Sequence, residues 1–341
     1  MISLDIAPFK QALETEGSVV IVPHKNPDGD ALGACLALYH FLSEKRFECK
    51  VIAPNGYPDF LSWLPGSEHV LIAENELDKA EDCVRRASLI FTLDFNDLSR
   101  CGVLEECISA ATGLKLMIDH HIDPKPYAEV VYSDTQMSST CEMVYNLITN
   151  LADQTALSPA ISSCLYTGIL TDTGSFKYPA ATSTTLRIAA ELVDRGADKT
   201  LIAQELFDQG HLSRFKLMGR CIDSLEVLEP YSTALMYLTE KDKQECNFRK
   251  GDTEGFVNMG LQLKGIHFSA IFIEHAEDRM IKISFRSIGD FDVNAFARSH
   301  FNGGGHKNAA GGRSDSTLEE TLNQFKSLLP HYLTTLKSPL S

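Results

Sequence analysis

The sequence lacks long hydrophobic runs, paired cysteines and clusters of basic residues. No apolar stretch reaches the ~18–20 residues that a membrane-spanning helix needs. The start of the chain, with Asp5, lacks the basic residues that open a signal peptide. The nine cysteines are scattered without a CxxC pair, which is typical of reduced, mostly buried thiols. We therefore expect a cytoplasmic protein without a membrane segment.

The charge balance argues against a further class of protein. Lys and Arg number 31 against 46 Asp and Glu, which gives a formal charge of −15. Proteins that track long nucleic acids carry a basic stripe, because their affinity comes from neutralising many phosphates. A phosphate-containing substrate is therefore expected to be small, with its charge met by metals and a few arginines.

The first half of the chain predicts a doubly wound α/β domain. Its composition, 44% hydrophobic and 23% charged over 341 residues, is that of a globular protein long enough for two domains. Strand-like runs alternate with helix-like stretches, which is typical of a parallel sheet. The predicted strands are 18–22, 48–53, 89–93, 115–118 and 129–132, and the predicted helices include 31–45, 98–111 and 157–172. Ser139 and Glu142 predict a capping box at the start of one more helix.

The second half predicts a helical connector and then a smaller α+β domain. Strands are expected at 233–238, 268–274 and 280–286, and helices at 253–264, 292–299 and 317–336. A glycine-rich loop follows the third of these strands, at Gly303-Gly304-Gly305-His306. The expected organisation is a catalytic domain over 1–182, the connector over 183–229 and a substrate-binding domain over 230–341.

Acidic and histidine-rich patches follow the apolar runs of the first half. Because the carboxyl ends of parallel strands meet at one edge of a sheet, we expect these patches to converge. Converging carboxylates repel one another unless cations lie between them. The sequence therefore predicts a metal site. The patches are His24-Lys25-Asn26-Pro27-Asp28-Gly29-Asp30, Asp94, Asp119-His120-His121 and Asp172.

Each patch alone has a simpler interpretation. Asp28 and Asp30 fit a turn that caps the helix beginning at Ala31, and Asp94 fits an ordinary residue at the end of a strand. A surface loop explains Asp119-His120-His121, and a helix end explains Asp172. It is the combination of all four patches that favours metal ligands.

Taken together, the four patches resemble the motifs of the DHH phosphoesterase superfamily, which is named for a motif like Asp119-His120-His121. The loop at 303–306 resembles that of the DHH-associated domain. Members of this superfamily include RecJ-type exonucleases, manganese pyrophosphatases, cyclic-dinucleotide phosphodiesterases and nano-RNases. In size and layout the chain is most similar to the NrnA type of oligoribonuclease and pAp phosphatase, which includes chains described as exopolyphosphatase-related.

The resemblance implies two divalent cations that share one aspartate. The first cation would be held by His24, Asp28 and Asp94. The second would be held by Asp30, Asp94, His120 and Asp172. Such an oxygen-rich set, with imidazole and no thiolate, suits manganese, or magnesium as the alternative.

The resemblance also implies catalytic and substrate-binding residues outside the ligand set. Asp119 would orient a histidine ligand, and His121 would act on the phosphate or the leaving group. Arg286 would clamp a phosphate, and His306 would add a donor beside Gly303, Gly304 and Gly305, whose backbone N–H groups can cradle phosphate.

The expected activity is hydrolysis of short oligonucleotides and pAp-like nucleotides, with a hydroxide activated by two metals as the nucleophile. A phosphodiesterase for cyclic or linear dinucleotides, an exopolyphosphatase and a nucleotide-binding regulator without turnover are the alternatives. The expected partners are short single-stranded oligonucleotides and such nucleotides, with neither long nucleic acid nor membrane among them. A homodimer stays open.

Overall fold

The computed structural model describes residues 5–15, 17–45, 47–249, 251–276 and 278–336. The chain divides into two compact units, Met1–Gln209 and Gly210–Ser341. The boundary between the two units lies within the predicted connector. Among the residues that the structure describes, no helix has both the length and the apolar character to cross a membrane.

The first unit contains a six-stranded parallel sheet in the order β3-β2-β1-β4-β5-β6. Strands β1, β4 and β5 are almost wholly buried, as expected of parallel strands that are covered on both faces. The strand order reverses between β1 and β4, the switch point where open α/β sheets form their binding crevices. The strands are β1 (Ser18–Pro23), β2 (Glu48–Ala53), β3 (Leu71–Ile72), β4 (Leu89–Leu93), β5 (Leu114–Asp119) and β6 (Val130–Ser133).

Helices cover both faces of this sheet. One apolar cluster contains residues of α2, α5 and α6, and the other contains residues of α3 and α4. The helices are α1 (Ala7–Ala12), α2 (Gly29–Glu44), α3 (Leu77–Arg86), α4 (Glu105–Ala110), α5 (Thr140–Leu151), α6 (Pro159–Asp172), α7 (Ser183–Asp194) and α8 (Lys199–Phe207). Short 3-10 turns lie at Asp59–Leu61, Ser67–His69, Leu98–Leu104 and Gln154–Ala156.

Gly168 allows α6 to approach α2 closely. A Cβ at this position would overlap the Cys141 sulfur and would lie 2.8 Å from an oxygen of Asp30. A larger residue would therefore push the two helices apart. This contact matters because α6 ends at Asp172 and α2 begins with Asp30 in its first turn.

The second unit has a six-stranded mixed sheet in the order β11-β12-β10-β9-β8-β7, antiparallel except for β8 beside β9. Its core is rich in phenylalanine, including Phe268, Phe285, Phe296 and Phe325. The strands are β7 (Glu226–Leu228), β8 (Thr233–Leu238), β9 (Phe268–His275), β10 (Met280–Ser287), β11 (Gly304–His306) and β12 (Ala309–Ser314). The helices are α9 (Leu212–Asp223), α10 (Glu240–Glu245), α11 (Asn258–Leu261), α12 (Val293–His300), α13 (Leu318–Leu328) and α14 (Leu333–Leu336), with 3-10 turns at Glu229–Tyr231 and Leu329–Tyr332.

The predicted fold class is confirmed: a parallel-sheet α/β part and a smaller α+β part. The helix predicted over 253–264 is wrong, since only Asn258–Leu261 is helical. Gly255, inside the predicted range, has a left-handed φ of 79°, which a continuous helix does not allow. The end of the predicted helical connector also forms strand β7 rather than helix.

Candidate metal centre

The first acidic patch leaves β1 through a tight turn. Asn26 lies there in a left-handed conformation, φ 56°, which asparagine tolerates better than most residues. The Asn55 side chain fixes the turn, because its Oδ1 accepts from Asn26 N at 2.6 Å and its Nδ2 donates to Asn26 Oδ1 at 2.7 Å. The turn thereby holds His24 and the following acids at the carboxyl end of the sheet.

Asp28 is both a helix cap and a member of the site. Its Oδ1 accepts from the backbone N–H groups of Asp30 and Ala31, each at 3.0 Å, and so caps α2. Its Oδ2 lies 3.7 Å from His24 Nε2. The capping interpretation and the ligand interpretation of this residue are therefore compatible.

Asp30 lies against the start of α5. Its Oδ2 accepts from Thr140 N at 2.6 Å and its Oδ1 from Cys141 N at 2.9 Å. The side chain is only 1% exposed. Because the free N–H groups of a helix N-terminus stabilise negative charge, α5 fixes this buried carboxylate in place.

Asp94 lies between the two histidines. It follows β4 with a left-handed φ of 67°, a conformation that costs energy and is concentrated at functional sites. Its Oδ2 lies 3.4 Å from His24 Nε2 and its Oδ1 lies 3.5 Å from His120 Nε2. Thr140 Oγ1 donates to the same Oδ1 at 2.9 Å. One carboxylate thus presents a different oxygen to each histidine.

The second group of acids lies around His120. Its Nε2 lies 3.5 Å from Asp172 Oδ2 and 3.9 Å from Asp30 Oδ2. Asp172 reaches this position as the last residue of α6. The four acids and two histidines that the sequence predicts as ligands are therefore brought together at one edge of the sheet.

The two histidines face the acids with the same ring nitrogen. Nδ1 of His24 lies 2.8 Å from the Lys25 carbonyl oxygen, and Nδ1 of His120 lies 3.2 Å from that of Met137. Since a carbonyl oxygen only accepts, each Nδ1 carries the proton, and Nε2 is the nitrogen that can ligate a metal. A backbone carbonyl that fixes the tautomer in this way is typical of metal-binding histidines.

Asp119 holds His121 by two contacts. Its Oδ2 accepts from the His121 backbone N–H at 2.8 Å, and its Oδ1 lies 2.7 Å from His121 Nδ1. Asp119 is fully buried. Asp119 therefore fixes the ring of His121, which is not one of the two histidines predicted as ligands. That Asp119 orients a histidine ligand stays a prediction.

The donor set fits divalent cations. The distances from histidine Nε2 to the carboxylate oxygens, 3.4–3.9 Å, exceed those of normal hydrogen bonds. Ligands at ~2.1 Å from a shared ion lie roughly 3–3.5 Å apart, which is closer to this spacing. Two groups, His24-Asp28-Asp94 and Asp30-His120-Asp172, each offer three ligand atoms within 4.8 Å of one another. Oxygen and imidazole donors without thiolate are those that manganese or magnesium accepts.

The pKa values show how unfavourable the cluster is without positive charge. Burial lowers the pKa of His24, but the carboxylates of Asp28 and Asp94 raise it to about 10. For His120, burial likewise lowers the pKa, and Asp172, Asp94 and Asp30 raise it to about 9. Burial raises the pKa of Asp172 to about 7, and burial together with Asp94 and Asp172 raises that of Asp30 well above its usual range. The carboxylates therefore favour positive charge within this cluster, whether it comes from protons or from cations.

In the second unit, Arg286 and His306 lie on one face of the sheet. Arg286 of β10 is opposite Ala309 of β12, and Ala309 is opposite His306 of β11. Directly opposed residues of antiparallel strands project to the same side, and two strand spacings separate the outer pair by about 10 Å. The small side chain of Ala309 lies between them.

The glycine-rich segment is a hairpin strand and not a loop. Gly304–His306 pairs with Ala309–Ser314, and the Gly305 N–H donates to Asn294 Oδ1 at 2.9 Å. One of the N–H groups expected to cradle phosphate thus already has a partner. Two functions remain predictions for this segment: phosphate binding by Gly303, Gly304 and Gly305, and donation by His306.

The sequence interpretation missed Thr140 and Asn55 and misassigned Glu142. Thr140 was recognisable, since it follows the predicted cap Ser139 and the N-terminus of a helix attracts anions. Ser139 does cap α5, accepting from Glu142 N at 3.1 Å. The capping box itself is wrong, because the Glu142 side chain bonds Ser138 and Thr185 instead.

Comparison with known proteins identifies the family. The model of the DHH family, N-terminal domain, matches residues 18–169, and that of the DHHA1 domain matches residues 234–335. The probable bifunctional oligoribonuclease and PAP phosphatase NrnA of Streptococcus mutans is 30% identical, over 92% of this chain and 95% of its own length. The bifunctional oligoribonuclease and PAP phosphatase NrnA of Thermus thermophilus is 31% identical, over 87% and 84%.

A solved structure agrees with the sequence relatives. The exopolyphosphatase-related protein from Bacteroides fragilis has a TM-score of 0.94 and 39% identity, covering 98% of this chain and 97% of its own. The resemblance inferred from the four patches is confirmed. The chain belongs to the DHH family, as a phosphoester hydrolase of the NrnA type.

Proposed function

We propose that this enzyme hydrolyses phosphoester bonds of short oligonucleotides and of pAp-like nucleotides with two divalent cations, preferably manganese. The central observation is Asp94, which presents one oxygen to His24 and the other to His120. A carboxylate in that position can bridge two ions. The relatives named for oligoribonuclease and PAP phosphatase activity support the same substrates.

The residues of the site divide the chemistry between them. His24, Asp28 and Asp94 would hold one cation, and Asp30, Asp94, His120 and Asp172 the other. When bound, the cations supply charge neutralisation at the phosphate and lower the pKa of water so that it can attack at neutral pH. The chain itself fixes the ligands, through the backbone N–H groups of α5 and the cap of α2.

His121 is the proposed proton donor to the leaving oxygen. Asp119 accepts the proton of Nδ1 and so leaves Nε2 as the nitrogen that exchanges a proton with substrate. A carboxylate in this position also stabilises the charged ring, as in other acid–base histidines. Arg286 and His306, on one face of the second sheet, are proposed to bind phosphate groups of the substrate.

Substrate length is the most direct test of the proposal. With a charge of −15, added phosphates on a longer strand would meet few cations on the protein. We therefore expect catalytic efficiency to fall as the oligonucleotide lengthens. Its salt dependence should be weak, because the enzyme is expected to contact only about one to three phosphates.

The experiment is a substrate panel with manganese. It compares pAp, di-, tri- and pentanucleotide RNA, an RNA of about 24 nucleotides, cyclic di-AMP and polyphosphate. Phosphate or nucleotide release should be fastest with pAp and the short RNAs. Equal efficiency on the long and the trinucleotide RNA would contradict the length argument. If the enzyme hydrolysed polyphosphate or cyclic di-AMP and neither pAp nor the short RNAs, the proposed substrate class would be wrong.

A further inference from the structure

Glu142 is a buried carboxylate with an unusual concentration of hydrogen bonds. The residue is only 3% exposed. Its Oε2 accepts from the Ser138 N–H at 3.3 Å, from the Ser138 hydroxyl and from Thr185 Oγ1 at 3.0 Å. One oxygen thus ties together three elements: α5 itself, the segment before it and the first turn of α7.

The segment that Glu142 holds leads into the metal centre. We call residues 134–139, between β6 and α5, the lead-in loop. The Met137 carbonyl lies 3.2 Å from His120 Nδ1 and fixes the tautomer of that ring. Two residues after Ser138, Thr140 N donates to Asp30 and Thr140 Oγ1 donates to Asp94. Three of the candidate ligands therefore depend on where this loop and the start of α5 lie.

Other hydrogen bonds also hold the loop. Asp134 N donates to the Asp119 carbonyl at 3.2 Å and joins the loop to the end of β5, and Met137 N donates to the Asp134 carbonyl at 3.2 Å within the loop. Asn146 Nδ2 of α5 donates to Met137 Sδ at 3.8 Å. At the α5 end, the side-chain bonds of Glu142 and of the cap Ser139 hold it.

We infer that Glu142 is a positioning residue for the metal centre: through Ser138 it holds the lead-in loop so that His120, Asp30 and Asp94 keep the geometry that binds cations. The inference rests on the proposed metal-dependent function and adds to it a residue outside the ligand set. Outer groups of this kind typically change metal affinity or activity by about 10–100-fold when they are removed.

The test compares two variants with a matched control. Glu142→Ala removes the acceptor, and Glu142→Gln retains an amide oxygen that can still accept, with less charge. Glu191→Ala is the control, because Glu191 also joins α7 to α5, accepting from Tyr145 Oη at 2.6 Å and from Gln154 Nε2 at 2.9 Å. These partners and Arg195, which lies 3.8 Å from the Glu191 carboxylate, are outside the lead-in loop and outside the set of candidate ligands.

Manganese affinity is measured by titration calorimetry, and the rigidity of residues 134–142 by amide hydrogen exchange in the presence of chelator. Thermal unfolding with chelator reports stability. We expect Glu142→Ala to bind manganese about tenfold more weakly or worse and to exchange faster over 134–142. Glu142→Gln should recover part of both losses. Glu191→Ala should lower the melting temperature without changing either measurement.

The outcomes separate the inference from the proposed function. Unchanged manganese affinity in Glu142→Ala, or an equal loss in Glu191→Ala, would overturn the positioning role. If Glu142→Ala does not fold, Glu142→Gln and Ser138→Ala carry the same comparison with smaller expected effects. If the wild-type protein binds no manganese, the proposed function fails, whereas the exchange measurement still shows whether Glu142 holds the loop.

Discussion

The two sets of predicted site residues are held in opposite ways. In the first unit, Asp30, Asp94, His24 and His120 are 1–7% exposed and are fixed by backbone groups, by Thr140 or by one another. In the second unit, Arg286 and His306 are only partly buried and lie towards the hairpin edge of a sheet. The second unit is stabilised by a core rich in phenylalanine. A buried charged site resists change, whereas a half-exposed face can change contacts without loss of fold.

The largest effect is expected from Asp94→Ala. Because this carboxylate alone faces both histidines, its loss should impair both cation positions and lower turnover by at least about a hundredfold. Steady-state kinetics with manganese measures this change. Asp97→Ala is the control, since Asp97 is three residues away and its side chain caps the 3-10 turn at Leu98–Leu104, accepting from Ser99 N at 3.0 Å. If Asp94→Ala retained more than about a few per cent of wild-type turnover, the bridging role would be contradicted.

The second largest effect is expected from pH, acting on the affinity for metal. With pKa values of about 10 and 9, His24 and His120 are protonated near neutral pH, and Asp172, with a pKa of about 7, is partly so. Metal ligands must lose these protons. Affinity for manganese should therefore rise with pH, until the pH passes the pKa values of the histidines. Roughly two to three protons should be released near neutral pH, which is a hundred- to thousandfold change in affinity per pH unit.

Calorimetry in buffers of different ionisation enthalpy counts those protons directly. The observed heat should change in proportion to the buffer enthalpy, and the dependence should weaken as the pH approaches the pKa of the histidines. Heats that are independent of the buffer near neutral pH would mean that the metal-free cluster carries no displaceable protons. The electrostatic account of the buried site would then be wrong.

A smaller effect is expected from Arg286→Ala. If the first unit binds the metal and Arg286 binds phosphate, this variant should keep its manganese affinity but lose about tenfold in kcat/KM. Arg286→Lys should recover only part, because lysine keeps the charge but not the planar pair of donors. Calorimetry beside steady-state kinetics makes the comparison. Loss of metal binding in Arg286→Ala, or unchanged kinetics, would remove the phosphate contact from the proposal.

The sequence predicts which acids and histidines come together, because these residues are local features. That they bind cations stays a prediction. Each one follows an apolar run, and the carboxyl ends of parallel strands converge whatever the loops do. The supporting residues were not predictable in this way. Thr140 N bonds Asp30 across 110 positions of sequence, and Glu142 bonds Thr185 across 43. Such pairs depend on the packing of α5 against α2 and α7, which no local pattern encodes.

The glycine-rich segment shows a different limit. Three consecutive glycines favour a loop, since glycine weakens strands. Here the backbone of the neighbouring strand β12 approaches Gly303 and Gly305 so closely that a side chain would not fit at either position. A Cβ on Gly305 would overlap the Ala309 carbonyl oxygen and would lie 2.8 Å from Ala310 Cα. The run of glycines is therefore explained by close backbone contact within a hairpin, in addition to any contact with substrate.

The smallest effect, and the sharpest test of that hairpin, compares two adjacent glycines. Gly305 has φ 149° and no room for a Cβ, so Gly305→Ala should destabilise the second unit by about 1–3 kcal/mol. A Cβ on Gly304 would lie in ordinary contact, 3.6 Å from Asn294 Oδ1, so Gly304→Ala should cost under about 1 kcal/mol. Thermal unfolding measures both. Because Gly304→Ala keeps the hairpin, any rise in its KM reflects substrate contact at this edge, and an unchanged KM would assign the glycines to folding alone.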